Sequence, residues 1–214
     1  MAYVATDLEG TLTTGATWRG FGNYLKQYRS APAYYLFLAL RLPMPVLVKT
    51  GLLDQQRAKS AWIADQLKLF TDASPDEVAH MAEWVVEHEM WPRRRPEVLE
   101  EIAQHRAEGL HVILASGTYQ PIAEVFAARI GAEALGTPLK YVDGKLAGID
   151  APVSVKGEKA DNLRDRVGDE PIVAAYGDTA SDIPMLEMAE QPTAVHPDRR
   201  LRAAAAARGW RIID

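Results

Sequence analysis

The stretch that most constrains this chain is Ala2-Tyr-Val-Ala-Thr-Asp7-Leu-Glu9-Gly-Thr11-Leu-Thr13. Tyr3 to Thr6 reads as a short buried strand, closed by a carboxylate, a second carboxylate two residues on, and a Gly-Thr turn. Residues i and i+2 of an extended segment share one side, so Asp7 and Glu9 are placed to face one pocket. Open α/β sheets bind ligands at the carboxyl ends of their strands. Read alone, D-x-E-G-T is equally well an acidic turn, and the rest of the chain has to decide.

From Pro96 onward, strand and helix signals alternate. Val98, Leu99 and Ile102 line a helix ended by Gly109, and Leu110 to Leu114 is a strand followed by the turn Ala115-Ser116-Gly117-Thr118. Ile122, Val125 and Phe126 line the next helix, and Leu139 to Leu146 is a hairpin turning on Asp143-Gly144. Lys159 to Val167 is helical, Ile172 to Tyr176 is a strand, and Gly177-Asp178-Thr-Ala-Ser-Asp182 is a loop leading into a helix at Pro184. Thr193 to Val195 and Arg211 to Ile213 read as short strands. Alternation of this kind predicts an α/β fold with a doubly wound, mainly parallel, Rossmann-like sheet.

The region between the first strand and Pro96 has no strand signal. Phe21, Tyr24, Leu25 and Tyr28 fall at helical spacing, and Tyr34 to Leu40, Val46 to Leu53 and Leu52 to Phe70 continue helically. Ser74-Pro75-Asp76-Glu77 is a capping box opening a helix with Val78, Met81, Ala82 and Val85 on one face. The prolines of Trp91-Pro92-Arg-Arg-Arg-Pro96 end this region, and its arginines read as a solvated linker or a basic lip beside an anionic substrate. Residues 1–14 and 93–214 are therefore expected to form the α/β core, and 15–92 an inserted all-helical cap domain.

Composition removes several classes of function. The 214 residues are 48% hydrophobic and 25% charged, as in an ordinary globule. A net charge of -5 argues against a nucleic-acid partner, and the absence of cysteine excludes disulfides and thiolate chemistry. The apolar run from Ala31 to Val48 contains Arg41, Pro32, Pro43 and Pro45, which argues against a membrane span. No leader pattern opens the chain, so a cytoplasmic location is expected. Monomer and homodimer both remain open.

The strand-end turns of a parallel sheet share one edge, which can gather Asp7, Glu9, Ser116, Lys159, Asp178 and Asp182 into one site. Asp7 and Asp178 suit a hard cation such as Mg²⁺, which takes one or two carboxylates besides phosphate and water. A carboxylate can attack phosphorus, and Glu9 is placed to protonate a leaving alcohol and then activate water. The Ser116-Gly117 turn offers a hydroxyl and backbone N–H groups to phosphate oxygens, and Lys159 adds a positive charge.

Asp7-Leu-Glu9-Gly-Thr11, Ser116 after a strand, a downstream lysine and Gly177-Asp178-x-x-x-Asp182 together resemble the four motifs of the haloacid dehalogenase superfamily. The helical insertion is similar to the cap of its phosphoserine phosphatase-like branch. The resemblance implies that Asp7 is nucleophile and metal ligand, that Glu9 holds the acid/base place within the metal-binding acidic group, and that Asp178 and Asp182 complete it. Thr11, Ser116, Gly117 and Lys159 would bind phosphate, Lys159 fitting the family spacing better than Lys156. The implied reaction is Mg²⁺-dependent hydrolysis of a small phosphomonoester through an aspartyl-phosphate.

The chain departs from the family pattern twice. Glu9 stands where the family has its second aspartate. Phosphoserine phosphatases also carry a glutamate nine residues after the nucleophile, where this chain has Ala16. Phosphoserine hydrolysis is therefore an alternative, and a non-catalytic phosphate-ligand-binding protein is a second one. Arg41 and Arg57 are candidates for holding a substrate anion, and Trp18, Trp62, Trp84 and Trp91 are expected to be core or cap–core contacts.

Overall fold

A computed structural model describes residues 1–41, 43, 44, 50, 55–150 and 158–214, excluding the side chains of 55–57, 59, 60 and 158. In chain order the elements are β1 (Tyr3–Thr6), α1 (Thr17–Tyr28), α2 (Ala31–Arg41), α3 (Gln55–Leu67), α4 (Pro75–Val85) and α5 (Pro96–Ala107). Then come β2 (His111–Tyr119), α6 (Gln120–Ile130), β3 (Glu133–Thr137), β4 (Leu139–Val142) and β5 (Lys145–Ile149). The chain ends with α7 (Glu158–Val167), β6 (Ile172–Gly177), α8 (Ile183–Leu186), β7 (Ala189–Val195), α9 (Arg199–Arg208) and β8 (Arg211–Ile213).

Six strands form one sheet in the order β3-β2-β1-β6-β7-β8, and every pairing is parallel. β1 is buried along its whole length between β2 and β6. Its alternate side chains enter two cores. Val4 joins Leu114, Ala174 and Tyr176 in a cluster with α1, α4, α5 and α6. Tyr3 and Ala5 join Ile113, Ala115 and Ala175 under α7, α8 and α9. This is the doubly wound sheet expected from the alternation, and β4 and β5 form the expected separate hairpin, with Asp143 and Gly144 at φ 50° and 72°.

Helices α1–α4 lie between β1 and β2 in the chain, and their apolar faces continue the first core. Phe21 of α1 meets Phe70 and Tyr119 edge-to-face, at 5.5 and 5.6 Å between centroids, and so links the inserted helices to the sheet. The capping box at Ser74 and Glu77 is formed in both directions. After α4 the helix widens into a π-turn at Val86–Met90 and tightens at Trp91–Arg93 before Pro96 restarts it. The segment Val46 to Leu53, expected to be helical, lies outside the described residues apart from Thr50.

The expected turn at Ala115-Ser116-Gly117-Thr118 is instead part of β2. Pairing with β3 runs to Ala115–Leu135 and resumes at Tyr119–Thr137, so Ser116, Gly117 and Thr118 stand opposite Gly136 alone. The bulge lets the strand continue while it redirects the Ser116 and Thr118 side chains. No helix among the described residues is long and apolar enough to cross a membrane.

Phe21→Ala would remove a fully buried ring from between the inserted helices and the sheet. We expect a loss of about 3–5 kcal/mol in urea unfolding.

Candidate active site

β1 hands the chain to a tight loop at the carboxyl edge of the sheet. The Asp7 N–H donates to Tyr176 O of β6 at 3.0 Å, which continues the ladder by one residue and fixes the Asp7 backbone. Leu12 N then donates to Leu8 O at 2.9 Å, and Gly10 N to Thr13 O at 2.7 Å. Gly10 sits at φ +95°, and a Cβ there would lie 1.9 Å from Asp178 Oδ2, so the loop presses its backbone against that carboxylate.

Asp7, Asp178 and Asp182 converge, with one carboxylate oxygen from each within 4.8 Å of the others. The Thr11 hydroxyl lies between two of them, 3.5 Å from Asp7 Oδ2 and 3.4 Å from Asp178 Oδ1. Lys159, near the start of α7, donates to Asp7 Oδ1 at 2.7 Å and to Asp182 Oδ1 at 2.6 Å. The other Asp182 oxygen accepts from Thr179 N and Thr179 Oγ1, both at 3.0 Å, and from Asp178 N at 3.2 Å. Ser116, Lys159 and Asn162 line one small cavity, and Ser116 Oγ accepts from Thr118 N at 3.3 Å. Lys156, the other lysine considered, lies outside the described residues.

The charges in this cluster hold one another ionised. Burial alone pushes the Asp182 carboxyl up, but the Lys159 charge and the hydrogen bonds from Lys159 and Thr179 outweigh it, and its pKa is lowered. Burial likewise pulls the Lys159 ammonium down, and the charges of Asp182 and Asp7 reverse this to a raised pKa. Asp182 therefore contributes stability above its ordinary value of 3.8 and loses it as pH falls through the lowered one. Lys159 contributes below 10.5 and loses its contribution as pH rises through its raised value.

Glu9, expected among the metal ligands, turns its carboxylate elsewhere. Glu9 Oε1 accepts from Thr17 N at 2.8 Å, at the first turn of α1. The N-cap residue there is Ala16, whose methyl group cannot accept a hydrogen bond, so Glu9 does the capping from the Asp7 loop. An aspartate would be shorter by one methylene. The neighbouring Thr17 and Thr118 hydroxyls are hydrogen-bonded to each other. The proton of Tyr119 is held first by burial and then by the negative charge of Glu9, and its hydroxyl donates to Ile63 O at 2.7 Å.

The arginine run is anchored. Arg95 Nε donates to Gly10 O at 3.1 Å, Arg93 donates to Glu89 O at 2.9 Å, and Arg94 stacks on Trp91 at 5.0 Å. The Arg95 bond ties the returning chain to the Asp7 loop, as does Thr13 Oγ1, which donates to Met90 O at 2.7 Å. Of the two arginines expected to hold a substrate anion, Arg41 pairs with Asp65, and the side chain of Arg57 is not described. Trp62, Trp84 and Trp91 pack against the core, whereas Trp18 is 44% exposed. Sequence reasoning missed Thr179 and Asp198. Asp198 caps α9, donates its N–H to Asp178 O at 2.8 Å and accepts from Ala180 N at 3.2 Å, so it braces the Asp178 loop. An aspartate before a helix-forming run was the available signal for Asp198.

The model of the haloacid dehalogenase-like hydrolase family matches residues 4–187. The chain belongs to this family. It is 31% identical over 192 residues to Protein CicA of Caulobacter vibrioides, a match covering 88% of this chain and 83% of that protein. It is 35% identical over 116 residues to Phosphoserine phosphatase SerB1 of Mycobacterium tuberculosis, covering 51% of this chain and 38% of the relative. Its matches span less than half the length of the first curated relatives. A solved structure of a protein with unknown function from Bordetella pertussis Tohama I has the same fold. Its TM-score is 0.81 at 22% identity, covering 100% of this chain and 98% of that one.

Lys159→Met would leave the carboxylate of Asp182, 1% exposed, without its cation. The expected loss is about 3–5 kcal/mol. Without Lys159, burial dominates and raises the Asp182 pKa, so urea unfolding across pH would show its contribution lost as pH rises through the carboxylate range, the reverse of the wild type.

Proposed function

We propose that this haloacid dehalogenase-like hydrolase is a Mg²⁺-dependent phosphatase of small phosphomonoesters that works through an aspartyl-phosphate on Asp7. The observation that carries this reading is the buried group of Asp7, Asp178 and Asp182, gathered around Lys159 at the carboxyl edge of the sheet. All three offer hard oxygen donors at a spacing that one small divalent cation can bridge, so the residues fit Mg²⁺. When bound, that ion would neutralise charge on the phosphoryl oxygens and orient the ester. The Glu9 carboxylate is assigned here to proton transfer, and a backbone carbonyl near Glu9 to the metal.

In the first step Asp7 attacks phosphorus, the ester P–O bond breaks, and Glu9 gives its proton to the departing alkoxide. Lys159 and Ser116 hold the phosphoryl oxygens, and the Asp7 backbone is already fixed by Tyr176. In the second step Glu9 takes a proton from water, whose oxygen attacks phosphorus, releasing phosphate and restoring the Asp7 carboxylate. Residues 15–92 act as a cap that keeps bulk water from the first step. The bond from Thr17 to Glu9 joins the cap's first helix to the proton-transfer residue.

The test is phosphate release from a panel of phosphomonoesters, with and without Mg²⁺. We expect metal-dependent release, a loss of about 10³-fold or more in Asp7→Asn, and a loss of about 10²–10⁴-fold in Glu9→Gln. No release from any ester, in a folded protein that binds Mg²⁺, would favour a non-catalytic phosphate-binding protein.

A further inference from the structure

Among the described residues, four buried side-chain polar atoms have no hydrogen-bond partner, and three of them are Arg41 Nε, Trp62 Nε1 and Gln66 Oε1. All three belong to α2 and α3. Gln66 is fully buried, and its Nε2 donates to Trp18 O at 2.8 Å. A carbonyl only accepts, so this bond fixes which end of the amide is nitrogen and leaves Oε1 as an acceptor without a donor. Such an acceptor has given up its water and gained no donor in return, which is unfavourable.

Trp62 lies four residues earlier, so both side chains share one face of α3, with Cβ atoms about 5–6 Å apart. Its ring is held edge-on by Trp18 at 6.3 Å and by Phe37 at 5.3 Å, which fixes the indole in place. One acceptor and one donor are thus held unpaired, side by side, in a packed environment.

Contacts connect this face to the candidate active site. Glu9 is bonded to Thr17 N, the next residue, Trp18, is bonded by Gln66, and Tyr119 reaches from the end of β2 to Ile63 O. Asp7, Ser116 and Lys159 account for the phosphoryl end, which leaves the departing alcohol to the inserted helices that Glu9 and Tyr119 are bonded to.

We propose that this face of α3 is a leaving-group subsite, with Gln66 Oε1 accepting from, and Trp62 Nε1 donating to, the hydroxyls of a polyol phosphomonoester. This inference rests on the phosphatase reading and adds its substrate class. A hydroxyl both donates and accepts, so neighbouring hydroxyls satisfy both orphan atoms. A carboxylate has no proton for Oε1, and an ammonium has no lone pair for the indole N–H. Either charge, buried here, would require an ionic partner that an amide and an indole do not supply. Arg41 pairs with Asp65, which also takes Lys68 at 2.7 Å, so its charge is matched although its Nε stays unpaired.

The test compares glycerol 3-phosphate, n-propyl phosphate and O-phosphoserine by calorimetry, with the full chain carrying Asp7→Asn and with Mg²⁺ present. Glycerol 3-phosphate and n-propyl phosphate share a carbon skeleton and differ in the hydroxyls. We expect roughly tenfold tighter binding of glycerol 3-phosphate, as one or two neutral hydrogen bonds supply. Adding Gln66→Leu should erase that advantage while the affinity for inorganic phosphate changes less than twofold, and Trp62→Phe should reduce it. Equal binding of the two esters, tighter binding of O-phosphoserine, or an advantage retained in folded Gln66→Leu would each overturn the subsite. Should Gln66→Leu fail to fold, an undiminished advantage in Trp62→Phe would overturn it. Failure of the wild type to release phosphate from any ester would count against the phosphatase reading alone, because the binding comparison does not depend on turnover.

Discussion

The ion pairs from Lys159 to Asp7 and Asp182 are the interaction on which the rest of the site depends. Three carboxylates within 4.8 Å repel one another strongly where water is scarce, and a buried carboxylate left alone would protonate. Lys159 prevents this by donating one N–H hydrogen bond to each of two of them, at 2.7 and 2.6 Å. The backbone does the remaining work. Asp182 is held from its other oxygen by Thr179, and Asp7 is held through the sheet ladder, so neither acid has to be ordered when a substrate arrives. Preorganised charge of this kind is what a phosphoryl-transfer site requires.

The same cluster explains why the sheet is arranged as it is. β1 lies between β2 and β6, which carry the other strand-end residues, and parallel pairing sends all three chains out at one edge. Apolar burial on both faces fixes the register, since a slip of one residue would exchange the two cores. The acids therefore have their position because Val4 and Ala5 have theirs. The inserted helices enter the same scheme through Glu9, whose carboxylate stands in for the missing cap of α1. Placing a glutamate there lets one side chain reach from the Asp7 loop to the first turn of the insertion.

Much of this was legible in the sequence. Strands and helices alternate with a period the chain states openly; Asp7 and Asp178 each follow a strand, Lys159 opens a helix and Ser116 lies near the end of β2, so their placement at one edge follows from the topology. The structure also places Asp182 where its spacing from Asp178 puts it, across one short turn. What the sequence hid depends on tertiary pairing. The continuation of β2 through Ser116-Gly117-Thr118 arises from the three-against-one bulge facing Gly136, which no local pattern encodes. The direction of Glu9 depends on where α1 begins in space. Gln66 carries no motif at all, and becomes visible only when the partners of every buried atom are counted.

The central claim is that the Asp7 carboxylate, held ready by Lys159, becomes covalently phosphorylated during turnover. The most direct measurement is to quench the protein with borohydride during steady-state hydrolysis of a phosphomonoester and map the reduced residue by peptide mass spectrometry. An acyl-phosphate is reduced by borohydride, whereas a free carboxylate is not. The account predicts homoserine at position 7, formed only when Mg²⁺ and ester are both present. Phosphate release with Asp7 left unreduced, or with another residue reduced in its place, would contradict it.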